Sequence, residues 1–140
     1  MKTNKTERGQ SLVEFAISLT IIMFLLAGAV EFGIALFQYI QLRDAAQEGA
    51  LYGSINPTDV DGIRDRVRNA SSSPIDLSSL PDEDIEVTVS GGGCVADGVT
   101  VRVEYPHRIF MPFATLFTGG DEYINIGAEV TDTILQSTCS

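Results

Sequence analysis

From Leu12 to Ile40 the chain is apolar at almost every position, interrupted only by Glu14, Ser18, Thr20, Glu31, Gln38 and Tyr39. No charge occurs between Phe15 and Val30. About 20 apolar residues cross a bilayer, and this run extends ~43 Å as a helix, so it spans with residues to spare. Helical spacing continues past the apolar run to about Tyr52 or Gly53. Ala45, Gly49 and Gly53 fall at i, i+4 and i+8, and Ala29 and Gly33 repeat the same spacing within the span. Ridges of small residues let helices approach closely. The partner is either a neighbouring subunit or the chain's own domain, and Gly53 reads equally as a C-cap.

Beyond the helix, Asn56-Pro57 marks a turn. Thr58 stands as an N-cap with Asp61 three residues on, and Val60, Ile63 and Val67 share one face, which predicts a short helix near 59–70. Residues 71–81 are rich in Ser, with Pro74 and Pro81, and read as a loop. The period then changes to two. Ile85, Val87 and Val89 predict one strand; Val99, Val101, Val103 and Tyr105 predict a second, which Pro106 ends. Residues 90–98 hold four glycines and form the connection between them. Residues 109–117 are apolar and aromatic, with a short helix after Pro112, and Ile124, Ile126 and Ala128 to Val130 suggest a third strand. The expected fold is α+β: a long N-terminal transmembrane helix with a small antiparallel sheet packed on its outer half. The organisation is a leader at 1–9, a helix at 10–53 and a domain at 54–140. Phe110, Met111, Phe113, Leu116 and Phe117 either fill that domain's core or form an exposed patch for partners or membrane.

Charge orients the chain. Residues 1–9 carry Lys2, Lys5 and Arg8 against Glu7, whereas residues 43–140 carry six Arg, no Lys and 16 acidic residues. Positive-inside logic places the N-terminus in the cytoplasm and the acidic domain outside. A domain this acidic does not bind nucleic acid through phosphate neutralisation, nor lie flat on an anionic leaflet. The apolar run is too long for a cleaved secretory signal, and Ala27-Gly28-Ala29 is followed by Val30-Glu31-Phe32 rather than a polar mature start. Cys94 and Cys139 have no metal-ligand spacing; in an exported domain they form one disulfide or stay as two thiols.

Two carboxylates interrupt the apolar helix. Glu31 falls ~25 Å beyond Glu14 along the axis, at the outer edge of the span, where a charge is cheap. Glu14 lies near the inner end, where a carboxylate needs a partner. Its context, Arg8-Gly9-Gln10-Ser11-Leu12-Val13-Glu14-Phe15, resembles the class III signal of type IV pilin-like proteins. The resemblance implies that a prepilin peptidase cuts between Gly9 and Gln10. A glycine before the scissile bond admits the backbone closely to an active site. The new α-amino group at Gln10 then lies one helical turn from Glu14, on the same chain or a neighbour, and pairing in a low dielectric sets axial register between subunits. Glu14 and Phe15 are thus the candidate register residues, and Ala29, Gly33 and Gly49 the candidate packing residues.

The same stretch, with Glu31-Phe32-Gly33 and Ala45-Ala46-Gln47-Glu48-Gly49-Ala50, is similar to the TadE-like family, pseudopilins of Tad or Flp pilus systems. The resemblance covers residues 8 to about 53 closely and runs loosely on through Val101-Arg102-Val103-Glu104-Tyr105-Pro106. Gln47 and Leu51 stand where the family often has arginine, so no role is carried over there. The long tail after Leu42 implies an accessory or minor pilin-like subunit rather than the main one. The implied partners are the prepilin peptidase, other pilin or pseudopilin subunits, Tad assembly-platform proteins and membrane lipid. The implied location is the cytoplasmic membrane, or a pilus outside the cell acting in adhesion or secretion.

Nothing in the pattern points to an enzyme, a cofactor or a resident metal. His107 is the only histidine and, beside Pro106 and Arg108, reads as a surface residue at a strand end. No G-x-S-x-G elbow occurs. Asp59-Val60-Asp61-Gly62 begins like a calcium loop without completing one, and Asp82-Glu83-Asp84 with Glu86 reads as a solvated acidic turn. The competing account is a signal-anchored binding module, not processed by prepilin peptidase, in which the helix is only a tether. An anchored hydrolase is a third, with no nucleophile–base pair behind it.

Overall fold

The computed structural model describes residues 5–111 and 118–136. The chain begins with one helix, α1 (Lys5–Ile55), ~76 Å long at the standard rise. The first proline of the sequence is Pro57, and nothing earlier breaks the ladder. The helix stops two residues before it, since the position preceding a proline is pushed out of the helical region. Its last turn is tied off by tertiary contacts: the carbonyl of Ser54 accepts from the backbone N–H groups of Leu135 (2.8 Å) and Gln136 (3.3 Å). Gly53 is therefore not a cap but an interior helix residue.

A short helix, α2 (Val60–Asn69), follows. Its N-cap is Asp59 rather than Thr58: the Asp59 carboxylate accepts from the Gly62 N–H at 3.1 Å. The second carboxylate oxygen accepts from the Tyr52 hydroxyl at 2.8 Å, which ties the cap to α1. That shared bond explains the displacement by one residue. Ile63 and Val67 are buried, as their spacing predicts. A 3₁₀ turn at Asp82–Asp84 leads into the sheet. Asp82 is not simply solvated there; it pairs with Arg68 and, at 3.6 Å, with Arg64 of α2.

The sheet has three antiparallel strands in the order β1 (Ile85–Val89), β2 (Gly98–Arg108), β3 (Tyr123–Thr133). Val101, at the centre, faces Val87 on one side and Val130 on the other. The β2 strand runs straight through Pro106, contrary to the expectation that this residue ends it. Gly98 turns its carbonyl to Ser90 on the β1 side, whereas Ile109 turns its N–H to Glu122 on the β3 side. Even-numbered residues of this unbroken register therefore face β1, which ends opposite Val103. Pro106 faces open edge, where no ladder bond needs its missing N–H.

The core lies between the outer part of α1, α2 and the sheet. Leu42, Ala45, Ala46, Gly49, Ala50 and Gly53 form the buried stripe of α1. Opposite them stand Ile63, Val67, Ile85, Val99, Val101, Val103, Ala128 and Ile134. The small residues set the approach. A Cβ added at Gly49 would lie 2.7 Å from Val67 Cγ2, and one at Gly53 would lie 2.9 Å from Val99 Cγ2. The outer ridge is thus consumed by the chain's own domain.

Candidate functional site

Two places on α1 carry the candidate residues. The first is the N-terminal segment. Gly9, Gln10, Glu14 and Phe15 all lie on exposed helix, and Phe15 is 65% exposed. Among the described residues, nothing beyond the local helix backbone comes within 4 Å of where a Gly9 Cβ would sit. Gln10 and Glu14 are four residues apart on one face, which puts the backbone nitrogen of Gln10 one turn from the Glu14 carboxylate. Ala29 and Gly33 are likewise exposed, with nothing among the described residues within 4 Å of a Gly33 Cβ beyond the local helix backbone. Of the three proposed packing residues, Gly49 is therefore used inside the subunit, and Ala29 and Gly33 are open to another one.

The second place was not legible as a unit. Glu31 reaches His107, whose Nε2 lies 2.8 Å from Glu31 Oε1. The backbone N–H of Phe110 donates to both carboxylate oxygens, at 3.2 and 3.1 Å. His107 is 1% exposed, which overturns its reading as a surface residue. A carboxylate only accepts, so Nε2 carries the proton in this bond. Nδ1 is buried and has no hydrogen-bond partner among the described residues. The Phe110 ring meets the imidazole edge-on at 6.5 Å. Glu31 is thus more than a tolerated charge at the edge of an apolar run: it fastens the turn after β2 to the long helix. The missed signal was parity. Val99, Val101 and Val103 are buried, and His107 continues their alternation once the strand is carried past Pro106.

These contacts fix how the domain lies on α1. Val99, at the start of β2, packs at Gly53, and His107, near its end, binds Glu31. The strand therefore runs back along the helix toward the N-terminal apolar segment. The two anchor points on α1 are ~33 Å apart; Val99 to His107 covers ~26 Å as a strand, and the turn that carries the Phe110 N–H to the same carboxylate covers the remainder.

The far end of the domain is tied differently. Tyr52, already bonded to Asp59, also carries the Arg66 guanidinium over its ring at 5.0 Å. The hydrogen bond from Tyr52 holds the Asp59 carboxyl below its ordinary value and raises the Tyr52 hydroxyl above its own. Cys94 is disulfide-bonded. Cys139, the other cysteine, lies outside the described residues, as do the helix expected after Pro112 and the apolar positions Phe113, Leu116 and Phe117. Among the described residues no group of three His, Cys, Asp or Glu side chains is placed to hold a metal ion.

Among the described residues one helix is long and apolar enough to cross a membrane, within Gly9–Ile55, and none of them covers its most apolar window. Residues 9–51 match a family model described as TadE-like protein. The matched segment holds Gly9, Glu14, Glu31, Ala29, Gly33 and Gly49, and ends before α2 begins. No curated protein and no solved structure matches the chain.

Proposed function

We propose that this chain, TadE-like over residues 9–51, is a single-pass membrane subunit of a Tad-type pilus system, matured by a prepilin peptidase between Gly9 and Gln10. The family match and the apolar helix together support a pilus-associated membrane protein. The observation that carries the finer reading is Gly9 and Glu14 at the head of an exposed apolar helix, within the matched segment. The scissile bond lies inside helical backbone, so a peptidase must unwind it locally. A glycine lowers that barrier, being worse in a helix interior than alanine by about 1 kcal/mol. After cleavage the Gln10 ammonium and the Glu14 carboxylate lie one turn apart in a medium that excludes water, where pairing is strong. A neighbouring subunit offset by one turn satisfies the same pair, and that sets axial register. Ala29 and Gly33 offer the smooth surface on which the neighbour's helix packs. The basic leader stays in the cytoplasm and the acidic domain lies outside. The role is structural, as a minor subunit or assembly factor rather than a catalyst.

The test is the mass and N-terminal sequence of the chain recovered from membranes that contain an active prepilin peptidase, alongside Gly9→Leu. A new N-terminus at Gln10, absent in the variant, supports maturation. An uncut chain in both, with the peptidase active on a known substrate, favours a tethered binding module. The domain at 54–140, which lies beyond the matched segment, is the feature that would serve such a module.

A further inference from the structure

We propose that the turn directly after β2, residues 109–111, and the first residue of β3 make a second membrane contact, which seats Phe110 and Tyr123 in the outer interfacial layer of the bilayer that α1 crosses. The inference rests on the reading of α1 as a span, and it adds where the domain sits relative to the lipid. The level follows from the helix. Leu12 to Val30 extends ~28 Å, close to the hydrocarbon thickness, so Glu31 stands at the outer boundary. The turn is fastened at that boundary by the bonds from His107 and Phe110 to Glu31. Met111 reaches past it: a Cβ at Gly28, within the span, would lie 3.7 Å from Met111 Sδ.

The side chains that this anchoring leaves outward are apolar or aromatic. Phe110 is 67% exposed, Tyr123 54% and Ile124 43%. Phenylalanine in water gains nothing from that exposure, whereas an aromatic ring with or without a polar tip is suited to the headgroup level. The neighbouring acids, Asp121 and Glu122, oppose attraction to anionic lipid, so the contact is apolar in origin and suited to a zwitterionic leaflet. A lipid surface is the occupant favoured over a second copy of the chain. The turn's height on α1 is set within one subunit, by Glu31, at the one level where lipid is already present.

The sequence contains no tryptophan, so each substitution creates a single reporter. The full chain is reconstituted in phosphatidylcholine vesicles brominated either near the headgroup or deep in the acyl chains. Phe110→Trp should lose most of its emission to the shallow bromines and little to the deep ones. Ile21→Trp, mid-span, should show the reverse. Val95→Trp, in the loop beyond Gly93 at the far end of the domain, lies ~33 Å from the boundary by helix rise and should be quenched by neither. Tyr123→Trp, opposite Arg108 on the facing strand, reports the same depth by an independent substitution. The proposal is overturned when Phe110→Trp and Tyr123→Trp are quenched no more than Val95→Trp while Ile21→Trp is quenched. The turn then faces water or another subunit, and the span stands. Loss of quenching at Ile21→Trp as well removes the span, and this contact with it.

Discussion

Replacing Gly49 by alanine separates two opposing effects on one helix. Alanine is the better helix former by about 1 kcal/mol, so propensity alone predicts a more stable protein. The packing predicts the opposite. The new methyl would lie 2.7 Å from Val67 Cγ2 and 3.4 Å from both Ile63 Cγ2 and the Ile63 carbonyl oxygen. Carbon atoms prefer about 3.5–4.0 Å, so α2 must retreat by roughly 1 Å. Val67 cannot rotate out of the way: it is branched at Cβ and fully buried. Nor is α2 free to slide, since Arg64 and Arg68 donate to the carbonyls of Ile85 (3.3 Å) and Leu80 (3.0 Å). Overpacking of this kind costs about 1–3 kcal/mol, which exceeds the propensity gain, and the net expectation is a loss of about 1 kcal/mol. The readout is amide hydrogen exchange of α2 in the full chain in micelles. Protection over Val60–Asn69 should fall by about fivefold to tenfold, a factor of ten being about 1.4 kcal/mol. Gly33→Ala is the internal control, with no contact from the described residues within 4 Å of the added methyl, and should leave α2 unchanged. Equal or greater protection in Gly49→Ala would refute the seating of α2 on α1 described above.

Other outcomes follow from the same geometry. Glu31→Ala removes the acceptor for buried His107 and for the Phe110 N–H; the domain should lose about 1–3 kcal/mol, and the Phe110 amide should exchange far faster. An unaltered Phe110 amide would deny the tie. Gly62→Ala places a methyl 2.8 Å from Tyr52 Cε1 and against the Asp59 carboxylate, so the junction of the two helices should loosen, seen as a lower Tm. Arg68 holds the Asp82 carboxyl below its ordinary value of 3.8, and the Tyr52 hydroxyl does the same for Asp59. A depressed folded pKa gives stability that is present above the unfolded value and lost as pH falls through the folded one. Thermal melts should therefore show these contributions intact near neutrality and fading only below about pH 4, and Asp82→Asn should flatten that acid limb. Glu14→Ala should leave cleavage after Gly9 intact but reduce incorporation of the chain into pilus or pilin complexes, read by co-purification of subunits; unchanged incorporation counts against a register role.

How much was legible divides along a physical line. Local and periodic features were readable: the apolar run that becomes α1, the short helix bearing Ile63 and Val67, and the alternation that becomes three antiparallel strands. They are set by side-chain spacing within a few residues, and in α1 the first proline, Pro57, marks the limit. The N-terminal motif is local in the same sense: Gly9, Gln10 and Glu14 lie within about a turn and a half of α1. What sequence could not decide depended on distant partners. Asp59 displaced Thr58 as a cap because Tyr52 supplied a second bond to its carboxylate. Pro106 stayed in its strand because β1 begins only at Ile85, opposite Val103, leaving the edge beside Pro106 open. The bond between Glu31 and His107 joins positions 76 residues apart, and neither residue announces the other. Burial of the imidazole makes that partner necessary, and only the packing of the sheet along α1 reveals that the imidazole is buried. The sequence by itself determined a membrane-type helix with a sheet domain; the tertiary structure decided which helix face the domain covers, and the height on that helix at which it is fastened.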